Sequence, residues 1–387
     1  MPMLDDDVGV TDAADAEPDA VAFVSSYGGL GGAEIYLERL LSNLEREWIG
    51  SVTLLGDGPL VDRLRRLGFR VDVIPTGSSL LAMLRSSWKL RRGLLLSHRA
   101  VVHANGLKAA LASVVAATGT RLQVVWVRHD FSFEGWRARV LARRCAAVVC
   151  VSDALTRTFQ GRLGHRVHVV RTGSPDWSIE RDSARRQLSA FLGDRNGEPV
   201  VSLVAHLVPG KGHLELVEIA PELVRRLPDA RILFVGGEAT GDYGASYVAR
   251  LRGRIEEIGV GDHIEFIGHR DDVLTFIAGS DLVVIPSLTS DGSQTEGFPL
   301  VGLESLAVGT PLVAYSVGGL PELVGDCGYL VHPGDRKGLL EAIVRVATDR
   351  SGSEQRSARG RDRVRARFSM AGMIDGLQEV YGLLERT

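Results

Sequence analysis

Two glutamates bracket the stretch EGFPLVGLE, Glu296 and Glu304, and no other charge falls between them. The first follows a polar loop, SLTSDGSQT, and the second lies inside an apolar run that reads as a helix. Pro299 suits the first helical turn, where its missing N–H costs nothing. The N–H groups of Gly297, Phe298 and Leu300 then face outward at the positive end of the helix dipole, a seat for a diphosphate. At about 1.5 Å of rise per residue the two carboxylates stand up to roughly 12 Å apart. A glycosidase pair works across one bond at roughly 5–10 Å. The wider spacing suits a long ligand held at two ends, one carboxylate on sugar hydroxyls and the other on ribose hydroxyls. The bland alternative is two solvated helix glutamates. For Glu304 the apolar neighbours Leu303, Leu306, Ala307 and Val308 argue against it.

Two further loops carry ligand-binding chemistry. In SSYGGLGGAEIYLERLL a strand runs into four glycines, Gly31 and Gly32 the last of them, and then into an amphipathic helix expected to begin at Ala33 and Glu34. Bare backbone before a helix N-terminus cradles phosphate. The spacing is not G-x-G-x-x-G, so the dinucleotide fingerprint is missing; a flexible turn is the structural alternative. In VAHLVPGKGHLELVE, Lys211 sits between Gly210 and Gly212 at a strand's carboxyl end, where an anion contact is expected, and His206 offers a second donor. The glycine and Ser/Thr spacing is not that of a Walker loop.

These loops need elements to hold them. Seven short apolar runs, from AVAFVSSY to RVHVVRTG, alternate with helical patterns up to residue 173. After a polar stretch the alternation restarts at VVSLVAHL and gives six more, ending at GYLVHPGD. Valine-rich runs alternating with helices mean parallel sheets covered on both faces. The sequence predicts an α/β protein of two doubly wound, Rossmann-like domains facing a central cleft, with ligands beyond the carboxyl ends of the strands. The expected boundaries are an acidic, disordered tail (1–19), a first domain (20–174), a linker (175–198), a second domain (199–368) and a closing helix (369–387) able to cross back onto the first domain.

The run PS…EGFPLVGLESLAVGTPLVAYSVGGLPELV…GYLVHPGD resembles the donor half of the family 4 retaining glycosyltransferases, which have the GT-B fold. The resemblance extends over residues 20–387 through the glycine loop, VRHD, VSD and the Lys211 loop. It implies a hexosyltransferase that moves glucose or N-acetylglucosamine from a UDP-sugar co-substrate, with catalytic roles for His129, Lys211 and Glu296. It implies donor contacts from Gly31, Gly32, His206, Lys211, the IGHRDD loop with His269 and Arg270, Glu296, Gly297, Phe298, Pro299, Leu300 and Glu304. Where such enzymes read GR, this chain has Ala205–His206, so an arginine's fixed charge and fork are missing from the diphosphate clamp. The chain is also similar to the 2-deoxystreptamine glycosyltransferases of aminoglycoside antibiotic biosynthesis, which implies a small aminated acceptor.

The acceptor is otherwise open. Asp130 and Glu134, just after His129, are the candidate acceptor carboxylates. The stretch SSLLAMLRSSWKLRRGLLLSHR (78–99) mixes Leu, Met and Trp with Arg85, Lys89, Arg91, Arg92 and Arg99, a composition suited to an anionic membrane and a lipid or cell-envelope acceptor. Its alternative is a helix packed on the sheet with a solvated basic face. A UDP-sugar epimerase or hydrolase on the same fold is the reading from another class.

Bulk composition excludes several classes. Net charge is −3, and residues 1–20 hold seven acids, leaving 45 bases against 41 acids in the remainder. Near-neutrality gives no reason to expect nucleic-acid binding. Three cysteines without metal spacing and an acidic, non-signal-like start suggest a reducing cytoplasm. No Asp/His cluster reads as a metal cage, so neither a cofactor nor an obligatory metal is expected.

Overall fold

The computed structural model describes residues 20–385 apart from 78, 97–99, 162, 194–198, 239–241 and 289–295. The acidic tail and most of the polar loop before Glu296 therefore lie outside the described residues. The apolar runs all become parallel strands. The first seven are β1 (Val21–Ser25), β2 (Ile49–Leu54), β3 (Val71–Val73), β4 (Val101–Asn105), β5 (Gln123–Arg128), β6 (Ala147–Cys150) and β7 (Val167–Val169). They form one sheet in the order β3-β2-β1-β4-β5-β6-β7. The next six are β8 (Val200–Val204), β9 (Arg231–Val235), β10 (Ile264–Gly268), β11 (Leu282–Ile285), β12 (Leu312–Tyr315) and β13 (Tyr329–Val331), ordered β10-β9-β8-β11-β12-β13. β1, β4, β6 and β9 are buried along their whole length, as strands covered by helices on both faces must be.

Strand order reverses at β1 in one sheet and at β8 in the other. Such reversals open the crevice in which doubly wound sheets bind ligands. The glycine loop follows β1 and the Lys211 loop follows β8, so sequence order alone brings both loops to the two crevices.

Three boundaries differ from expectation. The stretch expected to be a linker contains a helix, Arg181–Leu192, which buries Ala184 and Leu188 on the second domain beneath helix Val273–Gly279. A side chain at Gly279 would meet the Ala184 carbonyl at 2.8 Å, so the two helices touch backbone to backbone. Its narrow apolar stripe, among Arg181, Asp182, Arg185 and Arg186, made it look like linker. Pro299 is the cap before helix Leu300–Val308 rather than part of its first turn, so the free N–H groups of that turn come from Leu300, Val301 and Gly302. The first-domain helix begins at Gly32, with Gly31 as its cap.

The closing helix, Met370–Glu385, lies on the first domain. Tyr381 Oη and His103 Nδ1 share a hydrogen bond of 2.6 Å, and Gln123 Nε2 donates to the Leu384 carbonyl at 2.7 Å. Met373, Leu377 and Tyr381 are buried there. All three cysteines are free and buried, and burial pushes the Cys145 and Cys150 thiols up to about 12.

Candidate active site

One cleft of about 1310 Å³ lies between the domains. That is roomier than the roughly 300–1,000 Å³ of a single small-ligand pocket. Its lining includes every site residue expected from the sequence except Glu134.

Glu296 is held on the second-domain side. Its Oε1 accepts from Lys211 Nζ at 2.7 Å and from Ser287 Oγ at 2.6 Å, both at carboxyl ends of strands. Both bonds fall on one carboxylate oxygen, which leaves Oε2 for a ligand. Lys211 keeps two further N–H donors. The next residue, Gly297, is where the domains meet: a side chain there would run into the His129 carbonyl oxygen. Gly212, at φ +78°, packs against the Pro286 carbonyl just as closely, which brings Lys211 beside Ser287 and Glu296.

His129 leaves β5 on the opposite wall. Asn105 Nδ2 donates to the Ala33 carbonyl at 2.9 Å, so Asn105 Oδ1 is the acceptor for His129 Nε2, 2.7 Å away. The proton therefore sits on Nε2, and Nδ1 is free to accept. Burial holds the imidazole down to about 4, which keeps it neutral at ordinary pH.

Glu304 is 4% exposed and is paired with Arg39, from helix Gly32–Asn43 of the other domain. Burial raises its carboxyl above the usual range while Arg39 pulls it back. His206 Nε2 donates across the cleft to the Leu30 carbonyl at 3.1 Å. His269 is exposed at the cleft mouth. Arg270 is held by Asp272 through two bonds of 2.7 and 2.8 Å, with its guanidinium over Phe276.

The glycine loop departs from the phosphate cradle. Glu34 is buried, and its carboxylate turns back toward Gly31. A side chain at Gly31 would meet Glu34 Oε2 at 2.7 Å. The chain's own acid thus stands beside the cap of the helix. Burial, helped by the Asp130 charge, raises the Glu34 carboxyl. Asp130 lines the cleft, its Oδ1 accepting from the Ser132 N–H at 2.9 Å.

Glu134 is the correction. It turns away from the cleft to the Arg128 guanidinium and the Thr158 hydroxyl. Arg128 is fully buried in β5, and a buried cation captures the nearest acid. Sequence reading also missed Arg39, Asn105, Ser287, Trp177 and Glu34 as cleft residues. Asn105 and Ser287 were findable as polar residues at strand carboxyl ends. Nothing local marks Arg39 or Trp177. Among the described residues no group of three or more His, Cys, Asp or Glu side chains is placed to hold a metal ion, and no helix is long and apolar enough to cross a membrane.

Two doubly wound parallel-sheet domains with a cleft at the carboxyl ends of both define the GT-B architecture. Residues 30–176 match the family described as Glycosyltransferase Family 4, and residues 184–363 match Glycosyl transferases group 1, so each half of the chain carries a glycosyltransferase family domain. Among curated relatives, a GDP-mannose-dependent monoacylated alpha-(1-6)-phosphatidylinositol monomannoside mannosyltransferase of Corynebacterium glutamicum is 28% identical over 215 residues, 54% of this chain and 53% of the relative. A D-inositol 3-phosphate glycosyltransferase of Nocardia farcinica is 32% identical over 225 residues, 56% of this chain and 47% of the relative. The chain thus spans about half the length of these curated relatives. Among solved structures, Anabaena HepE in complex with UDP and glucose superposes with a TM-score of 0.82 at 24% identity, covering 94% of this chain and 99% of the other. A glycosyltransferase from Rickettsia africae gives 0.81 at 17% identity over 95% and 99%. At these identities the structural likeness bears on the fold.

Proposed function

We propose that the protein is a retaining glycosyltransferase that moves a hexose from a UDP-sugar to a small amine-bearing cyclitol, 2-deoxystreptamine being the best candidate. The observation that carries the donor half is the Lys211–Glu296–Ser287 arrangement beside the N-terminus of helix Leu300–Val308. The donor's diphosphate rests on the first-turn N–H groups and the spare Lys211 donors. Glu296 Oε2 and His129 Nδ1 accept from sugar hydroxyls, and Glu304 takes the ribose hydroxyls. The anomeric carbon–oxygen bond to diphosphate breaks as the acceptor oxygen bonds the same face, and the acceptor's proton passes to the departing diphosphate. Lys211 and the helix N–H groups balance the charge that grows on the leaving group. No metal is required in this scheme, so activity persists in chelator.

The acceptor half rests on the acidic first-domain wall, Glu34 and Asp130, which suits a cationic amine better than a phosphate. The relative named as a D-inositol 3-phosphate glycosyltransferase takes a cyclitol that carries a phosphate, so it supports the ring and not the amine. Incubation with UDP-glucose, UDP-N-acetylglucosamine or GDP-mannose and 2-deoxystreptamine, followed by mass spectrometry, tests both halves. A hexose-sized increment on the acceptor supports the reading. Free nucleoside diphosphate without glycoside points to hydrolysis, and an altered sugar nucleotide to epimerisation.

A membrane-surface acceptor is the second reading, and one observation favours it. On helix Leu80–Leu96, Ser86, Ser87, Leu90 and Leu94 pack inward, while Leu81, Leu84, Trp88 and Leu95 form an exposed stripe beside Arg85, Lys89 and Arg92. Trp88 is 75% exposed, and Trp136, on helix Gly135–Arg144, is 71% exposed. No acid lies between Asp72 and Asp130. Exposed indoles among cations suit an anionic lipid surface. The lipid-linked substrate in the name of the Corynebacterium relative agrees with it.

A further inference from the structure

Glu304 sits in a helix with no second titratable residue, LVGLESLAV. That helix packs against three others. Helix Val273–Gly279 has no charged side chain. Glu322 of helix Leu320–Val324 is engaged by Arg171. Arg361 of helix Arg350–Arg367 stands at Gly309, past the far end. The charge that meets Glu304 comes instead from the opposite domain. Arg39 bonds Glu304 Oε1 through Nη2, and its guanidinium lies 5.1 Å from the centroid of the Trp177 ring. The side chain is 14% exposed, and Nη1 is buried without a partner. Glu38, the acid beside Arg39 in sequence, is taken by Arg63 at 2.9 Å.

Other contacts also bridge the domains. Arg171 meets Glu322, Arg63 approaches Asp271 at 3.5 Å, and His206 reaches Leu30. Asp271 and His206 are exposed, and Arg63 and Arg171 are only half-buried. Pairs of that kind contribute little, about 0–1 kcal/mol. The Arg39–Glu304 pair is the least exposed of these, with side chains 14% and 5% exposed, so loss of Arg39 strands a buried carboxylate.

We propose that Arg39 is a positioning residue for the nucleotide: it is supplied by the first domain, keeps Glu304 charged and aimed, and so completes the ribose site only when the cleft is closed. The proposal rests on the nucleotide-sugar reading above. Oε1 is committed to Arg39, so Oε2 is the oxygen left for the ribose hydroxyls. The unpartnered Nη1 is a donor in reserve for a ligand oxygen. Without Arg39 burial acts on the carboxyl unopposed, so it takes up a proton more readily and loses acceptor capacity toward a diol. Supply of the counter-ion from the facing domain makes donor binding and domain closure one event. It also gives this cleft a fixed guanidinium that the His206 position lacks, although its place is at the nucleoside end.

Calorimetric binding of UDP and of GDP to the full chain, between pH 5.5 and 9, tests this. Wild type is expected to bind one of them with a nearly flat profile. Arg39→Gln is expected to bind at least tenfold more weakly near pH 6 and to recover as pH rises and Glu304 ionises. Arg39→Lys should restore most of the affinity and the flat profile. The double variant Arg39→Gln/Glu304→Gln should be weak at every pH, with the slope gone. An Arg39→Gln profile parallel to wild type, or unchanged affinity, overturns the proposal while leaving the nucleotide reading intact. Failure of wild type to bind either nucleotide removes both.

Discussion

Lys211 Nζ stands 2.7 Å from Glu296 Oε1, and Ser287 Oγ donates to that same oxygen at 2.6 Å. Two donors on one carboxylate oxygen fix the side chain's direction and leave its other oxygen to the cleft. The pair joins the two motifs that the sequence presents 85 residues apart.

Replacing Lys211 separates chemistry from folding. Ser287 still satisfies Glu296 in Lys211→Ala, and Lys211 is about one-third exposed, so the melting temperature should stay within a few degrees of wild type. Turnover should fall about a hundredfold or more, because the growing charge on the leaving group loses its cation. Single-turnover kinetics beside a circular dichroism melt checks this; undiminished turnover would remove Lys211 from the leaving-group role.

Gly297 lies at a close contact between the two walls. A Cβ there runs into the His129 carbonyl, so Gly297→Ala must push the domains apart or shift the backbone beside Glu296. Overpacking of this kind costs about 1–3 kcal/mol. Lower thermal stability together with weaker donor binding is the expected result, read by calorimetry and nucleotide titration. An alanine variant that melts and binds like wild type contradicts the close approach.

Acid should destabilise the fold through its buried histidines. Burial depresses His103 and His213 to about 3 and His129 to about 4, well under the unfolded value of 6.5. The unfolded chain therefore binds more protons in that window. The stability these groups supply is complete above about pH 6.5 and is lost as pH falls toward 4. His213 is fully buried and packs edge-on to Phe234, 5.0 Å between centroids. His213→Phe should fold and flatten the slope of melting temperature against pH between 6.5 and 4. A slope as steep as that of wild type counts against the burial of His213. Because His129 is already neutral, kcat/KM should show no limb from it between pH 5 and 8.

The exposed Trp88 stripe predicts salt-sensitive flotation with phosphatidylglycerol-containing vesicles and none with pure phosphatidylcholine. Trp88→Ala/Trp136→Ala should lose flotation while keeping turnover on a water-soluble acceptor. Absence of flotation with either lipid leaves the soluble cyclitol as the acceptor reading.

Much of the second-domain wall of the cleft was legible in the sequence because its signals are local. Apolar runs bounded by glycine gave the strands, and EGFPLVGLE and GKG gave the loops at their ends. The misses have local causes too. Helix Arg181–Leu192 hid its two buried residues, Ala184 and Leu188, in a charged stretch. Glu134 followed His129 closely enough to look like a cleft residue until buried Arg128 claimed it. Gly31 and Gly32 have the composition of a phosphate cradle, and only the structure shows the Glu34 carboxylate turned back against Gly31.

By itself the sequence determined the two doubly wound domains, their order, and which loops stand at the carboxyl ends of the strands. Hydrophobic period and the positions of glycine and proline act within a few residues, and strand order in such sheets follows from short right-handed connections. Only the tertiary structure decided which side chains of one domain meet those of the other. Arg39 and Glu304 lie 265 residues apart, and His129 reaches Asn105 across neighbouring strands. Contacts of that kind depend on how the two sheets are stacked face to face, and no period or propensity along the chain records that stacking.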